Sequence, residues 1–280
     1  QVSRENSRRR IVLSANTEIG QGTNTIFSQI AADALALDYD DVEVAQPDTH
    51  FVPNSGPTVA SRTCMIVGGL VSRAAKQLKD ALQECGAKYD SRPALAKAGR
   101  LLCGSKNFRR FVVEYEKPGN LDWDDKTYKG DAYGCYSYAC LVADVEVDKR
   151  TLEVRVRKLW TAQDIGRAVN PLLAEGQIIG GTAQGVGYAL LENAGFKDGV
   201  MQNPQLTNYI IPTALDTPPM DVTIIEKPYS QGPFGAKGVG ELPLDVPGPA
   251  IAAAVHQATG LWINELPILP EKLCAAFKHA

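Results

Sequence analysis

Residues 171–192 keep a helical pattern while carrying five glycines, Gly176, Gly180, Gly181, Gly185 and Gly187. Each interior glycine costs a helix up to about 1 kcal/mol relative to alanine. A helix that keeps five of them is expected where another backbone, or a ligand, comes too close for a Cβ. Asn170-Pro171 supplies its start, an N-cap followed by proline at the first helical position. The fold must therefore seat one long helix tightly among its neighbours.

The other elements follow from periodicity. "RRRIVLSANTEIGQG" reads as a strand entering a glycine turn, and Thr23 or Asn24 then caps a helix with Ile26, Ile30, Ala34 and Leu37 on one face. "DDVEVAQPDT" is a short alternating strand. Met65, Leu70, Ala74, Leu78 and Leu82 keep helical spacing after a proline-containing loop. Residues 86–132 are weakly patterned and predict a variable connection between two parts, 1–132 and 133–280. Val142, Val145 and Val147, a "DKRT" turn, then Val154, Val156 and Leu159 make an antiparallel hairpin. "MDVTIIE" is a further strand, and residues 247–260 and 270–280 are helices. Strands and helices mix around a strong hairpin, so the predicted class is α+β in two subdomains.

Composition closes several functional classes. A net charge of −3 without a basic tract argues against nucleic acid. No apolar run approaches the roughly 18 residues of a membrane span. The opening "QVSRENSRRRIVLS" has a basic cluster but no apolar h-region, so no signal peptide is expected there. Six cysteines without a CxxC pair predict buried, reduced thiols in a cytoplasmic protein. Three scattered histidines make a histidine-ligated metal site unlikely to exist. The tryptophans, Trp123, Trp160 and Trp262, are read as core or interface residues.

Four loops combine glycine with small polar residues: 18–23 ("EIGQGT"), 54–61 ("NSGPTVAS"), 180–187 ("GGTAQGVG") and 235–241 ("GAKGVGE"). The first two run into helix starts, where exposed N–H groups favour an anion such as phosphate. Each loop alone reads equally as a turn. A Rossmann site is excluded, since "GQGTNT" lacks the third glycine and "GTAQGVG" lies inside a helical pattern. Glu241 ends the glycine run as a lone carboxylate, either a solvated loop residue or a base. Lys237 is either a surface lysine or an attractor of anions.

In this order the loops resemble the C-terminal half of the molybdenum-binding subunit of the xanthine dehydrogenase and aldehyde oxidase family, over about Ile11 to Leu273. "GPFGAKGVGE" is closest to bacterial members that hydroxylate N-heteroaromatic rings. The resemblance implies a molybdopterin cofactor, in its cytosine dinucleotide form, bound by Gly20, Gln21, Gly22, Gly56, Thr58, Ser61, Gln184, Gly238, Val239 and Gly240. It implies Glu241 as the catalytic base beside the metal's hydroxyl ligand, with no protein ligand to the metal. Such a base would act where the metal's charge already acidifies the bound oxygen.

The family's molybdenum subunit is much longer than 280 residues. The resemblance therefore implies partners: an N-terminal molybdenum domain or subunit, an iron–sulfur subunit with 2Fe-2S clusters, an FAD subunit and a small-molecule substrate. Water would supply the inserted oxygen. The four loops are expected to converge on one face. The alternative is a non-catalytic scaffold that keeps the fold, which would predict decay of the glutamate and the loops, and these are intact.

Overall fold

The computed structural model describes residues 2–3, 10–88, 92–119 and 121–279. Two compact units emerge, and the chain passes between them more than once. The first is Gln1–Tyr136 with Gly166–Asn170 and Lys227–Gly238; the second is Ser137–Ile165, Pro171–Glu226 and Val239–Ala280. A linear cut between 132 and 133 leaves the two returning segments out of the first unit. Both units mix helix and strand, as the α+β class requires.

In the first unit the elements are β1 (Val2–Ser3), β2 (Arg10–Val12), α1 (Thr23–Leu35), β3 (Val42–Val44), α2 (Gly68–Glu84), α3 (Arg92–Cys103) and β4 (Phe108–Arg109). Arg8 and Arg9, expected to open β2, lie outside the described residues. The sheet runs β3-β2-β1-β4, with β2 and β3 parallel and β1 antiparallel to both its neighbours. β5 (Trp123–Asp124) and β6 (Lys129–Gly130) form a separate small hairpin.

The first core joins Ala31, Leu35, Leu78 and Leu82, with Ala98 and Cys103 of α3. Helix α3 corrects the sequence reading, which left this stretch inside a patternless connection. Leu95, Ala96, Ala98 and Cys103 are buried on it, but alanines bury little area each, so its apolar face is faint in the sequence. Leu37, expected on the face of α1, lies past its end, because Ala36 turns left-handed at φ 55°.

The second unit contains β7 (Ala139–Val147), β8 (Val154–Asp164), α4 (Pro171–Leu190), β9 (Phe196–Lys197), β10 (Val200–Met201), β11 (Met220–Ile225), α5 (Leu242–Asp245), α6 (Pro247–Thr259) and α7 (Pro270–His279). β7 and β8 form the expected hairpin, and β11 joins β8 in parallel, giving the order β11-β8-β7. The carboxylate of Asp148 ties the turn by accepting from the N–H groups of Arg150 at 2.7 Å and Thr151 at 2.9 Å. Leu159, Val186, Ala189, Ile251, Val255 and Leu273 bring sheet, α4, α6 and α7 into one core.

Packing on α4 gives its glycines different reasons. A Cβ on Gly185 would stand 2.6 Å from Pro247 Cγ, and one on Gly181 2.8 Å from Pro243 Cβ. Gly187 faces Glu192 and Pro212 just as closely. A Cβ on Gly176 or Gly180 would meet nothing within 4 Å. The expectation of close approach therefore holds for three of these five positions.

Of the six cysteines only Cys103 is buried, while Cys140 and Cys274 are exposed. Trp160 and Trp262 are exposed as well, the latter stacked on His256 at 4.1 Å between ring centroids. Among the described residues, no helix is long and apolar enough to cross a membrane.

Candidate functional site

In the first unit, three of the glycine-bearing segments meet. The strand end after β2 carries two buried polar residues, Ser14 and Asn16, whose side chains bond at 2.8 Å. Buried polar groups need partners, and here the 54–63 loop supplies them. Ser55 Oγ accepts from the Ala15 N–H at 3.0 Å, and Thr58 Oγ1 accepts from the Thr17 N–H at 3.0 Å. Asn16 Nδ2 reaches Thr58 Oγ1 and Thr63 Oγ1, both at 3.4 Å. Arg62 donates to the carbonyls of Ser55 and Pro57, and Gly56 is left-handed at φ +72° where a Cβ would press on that guanidinium. The resemblance gives Thr58 a place among the cofactor contacts. Thr58 caps nothing, and its oxygen holds the neighbouring loop while its own O–H proton stays available to donate.

The segment 232–238 closes on the same place. A Cβ on Gly238 would run into the carbonyl oxygen of Ser61. Gly232 has no room for one beside the Ala236 carbonyl, and Gly235 sits at φ +95° against Pro228. Gly232, Gly235 and Gly238 are thus demanded by the chain's own turn, with Phe234 at φ 54° as a further sign of its tightness. Lys237 is 7% exposed and donates to the Tyr136 carbonyl at 2.9 Å. It is neither a surface lysine nor an ammonium turned to solvent.

The loop that opens α1 is organised by a residue the sequence reading passed over. Glu18 Oε1 accepts from the N–H groups of Gly20 at 2.9 Å and Gly22 at 3.0 Å, and Oε2 accepts from Asn24 at 2.9 Å. This carboxylate, and not Thr23 or Asn24, caps α1; Gly22 is the N-cap residue, at φ 87°. Burial pushes the Glu18 carboxyl up, but the N–H groups of Asn24, Gly22, Gly20 and Ile19 outweigh it and hold the group below the usual range. Gln21 is committed locally too. Its Oε1 accepts from Ile19 at 2.7 Å, and its Nε2 donates to the Thr17 carbonyl at 2.8 Å and Thr23 Oγ1 at 2.9 Å. The signal that could have exposed Glu18 is its place six residues before Asn24, across a two-glycine turn.

A cavity of about 750 Å³ opens in this unit, with Ser14, Ser55, Gly56 and Arg62 along one wall and Leu70 and Val71 along another. That volume suits a small organic ligand. In the second unit, α5 follows Glu241 directly and packs on α4 through the Gly181 and Gly185 contacts. Glu241 is exposed at the head of α5, and its carbonyl accepts from Leu244 at 2.9 Å. Gln184 is exposed on α4, outside the helix packing. Among the described residues, no cluster of histidine, cysteine, aspartate or glutamate could hold a metal ion.

Residues 9–218 match the molybdopterin cofactor-binding domain family. The putative xanthine dehydrogenase molybdenum-binding subunit of Escherichia coli (strain K12) is 32% identical over 288 residues, covering 96% of this chain and 38% of that protein. Among solved structures, aldehyde oxidoreductase from Desulfovibrio gigas superposes with a TM-score of 0.82 at 31% identity, covering 96% of this chain and 29% of that one. Quinoline 2-oxidoreductase from Pseudomonas putida 86 gives a TM-score of 0.82 at 25% identity, over 99% of this chain and 38% of that one. This chain spans less than two fifths of the length of each. It belongs to the molybdopterin cofactor-binding domain family, with relatives of the xanthine dehydrogenase and aldehyde oxidoreductase kind.

Proposed function

We propose that this chain is the cofactor-binding, base-donating part of a molybdenum hydroxylase acting on an electron-poor carbon of an N-heterocycle or an aldehyde. The observation that carries this reading is the joining of segments 14–24, 54–63 and 232–238 in one unit, beside a cavity of ligand size. The residues present fit a pterin with phosphate groups. Gly20 and Gly56 hold left-handed backbone, and a Cβ on Gly20 would meet nothing within 4 Å, so a ligand can lie against bare chain there.

In this reading Thr58 and Ser61 hold the cofactor through their hydroxyls, Gly20, Gly22 and Gly56 let it lie against bare backbone, and Gly238, Val239 and Gly240 are a further backbone contact. Gln184 offers a side-chain amide. Gln21 keeps its loop closed, and one lone pair of its Oε1 remains to accept from the ligand. When bound, the molybdenum cofactor supplies two-electron redox chemistry. Glu241 takes a proton onto its carboxylate as water is activated, and releases it after turnover. The cytosine dinucleotide form, the 2Fe-2S and FAD partner subunits and an N-terminal molybdenum domain or subunit are parts of the same proposal. A cytoplasmic setting, read from cysteines without a paired framework, belongs to the same proposal.

Glu241→Gln keeps the shape and removes the basicity. In the assembled complex we expect the rate of reduction by substrate to fall about 10²–10⁴-fold while molybdenum content stays unchanged. Near-unsubstituted rates with full metal would remove Glu241 as the base. Oxygen-18 from labelled water is expected in the product.

A further inference from the structure

Helix ends of the kind that opens α1 attract anions, and the sequence alone offers this one to phosphate. The structure fills that place from within. Glu18 takes three N–H groups on two oxygens, at 2.9–3.0 Å, across both left-handed glycines of the loop. Gln21 then closes the loop from the other side, through Thr17, Ile19 and Thr23. A loop with two positive-φ glycines has many open forms, and hydrogen bonds to a charged acceptor select one. We infer that Glu18 is a positioning residue: it occupies the helix-end anion place and sets the Gly20–Gly22 backbone in its binding form before any ligand arrives. The cofactor's phosphates are therefore held elsewhere than on the amino end of α1. This rests on the proposed cofactor role for its importance, but not for its geometry.

Glutamine in place of Glu18 keeps the length and turns one oxygen into a donor, which cannot accept from the N–H it faces. In the chain labelled uniformly with ¹⁵N, Glu18→Gln should speed amide exchange at Asn24 by roughly tenfold or more, since its N–H faces the oxygen that becomes a donor while the other oxygen still accepts from Gly20 and Gly22. Gly260, at the end of α6, should not change. Glu18→Ala empties the place, and excess inorganic phosphate should restore protection at Gly22, a rescue that a packing role would not show. In the unsubstituted chain the same phosphate should leave the Gly20 and Gly22 resonances where they are. A phosphate shift there, or Asn24 exchange in Glu18→Gln within about twofold of the original, overturns the inference. Should Glu18→Ala fail to fold, those two measurements decide alone.

In the assembled complex, Glu18→Gln should lower molybdopterin content, read by fluorescence of the oxidised pterin after extraction. Loosened amides with full pterin content would refute the positioning role. An unsubstituted complex without pterin would instead sink the proposed function, and leave the amide result standing.

Discussion

At the scale of single residues, the tight points are backbone points. Gly238 has no space for a methyl group because the Ser61 carbonyl lies against it. Gly238→Ala is expected to destabilise the chain by at least about 2 kcal/mol, read as a lower urea midpoint. The Glu18 carboxyl is held below its ordinary value once its N–H partners outweigh burial. A depressed carboxyl contributes stability above the unfolded-state value and loses it as pH falls through the folded one. The stability gap between the unsubstituted chain and Glu18→Gln should therefore be constant near neutral pH and shrink in acid below the usual glutamate range. A gap that widened in acid would contradict this. For the thiols, a water-soluble disulfide reagent should label Cys140 and Cys274 in the folded chain, and reach Cys103 only on unfolding.

Helix α4 shows at the scale of an element how one residue type serves opposite ends. Gly185 is a contact glycine: a Cβ there would stand 2.6 Å from Pro247 Cγ and 2.9 Å from the Leu244 carbonyl oxygen. Gly185→Ala should cost about 1–3 kcal/mol by forcing α4 away from the chain that follows Glu241. Gly176 is exposed with open space around it, so Gly176→Ala should stabilise by up to about 1 kcal/mol through helix propensity alone. Thermal unfolding of the two variants gives opposite signs if the packing is as described. A destabilising Gly176→Ala would mean that this face of α4 is covered in the working assembly. That face carries Leu172 and Ile179, both exposed apolar residues, next to Gly176 and Gly180.

On the scale of the whole molecule, each unit has its own core and its own exposed apolar side chains. Leu206 is 79% exposed and Leu215 95%. Under the proposed function, the assembled molybdenum complex should cover this region and bury more than about 2,000 Å² in total. Analytical ultracentrifugation checks it directly: a stable, cofactor-loaded monomer of this chain would count against the partnership.

Periodicity was enough for the hairpin β7–β8, for the start of α4, for the extent of α6 and for the α+β class, because alternation and 3.6-residue spacing are local properties of a chain. The order of four glycine loops likewise carried the family resemblance without coordinates. Three things needed the tertiary structure. Helix α3 was hidden because small alanines signal burial weakly until neighbours cover them. The parallel seat of β11 beside β8 was not legible, since strand pairing across residues 165–219 is a long-range choice. The cap of α1 by Glu18 was missed because a carboxylate six residues upstream reaches Asn24 only after two glycines have turned left-handed. The glycines of α4 were read from the sequence as room for another backbone or a ligand, and packing settles Gly181 and Gly185 on the chain's own proline and carbonyl contacts; Gly238, which the resemblance gave to the cofactor, also lies against the chain's own Ser61 carbonyl. Composition can say that a Cβ is missing, but only the folded neighbours decide what stands in its place.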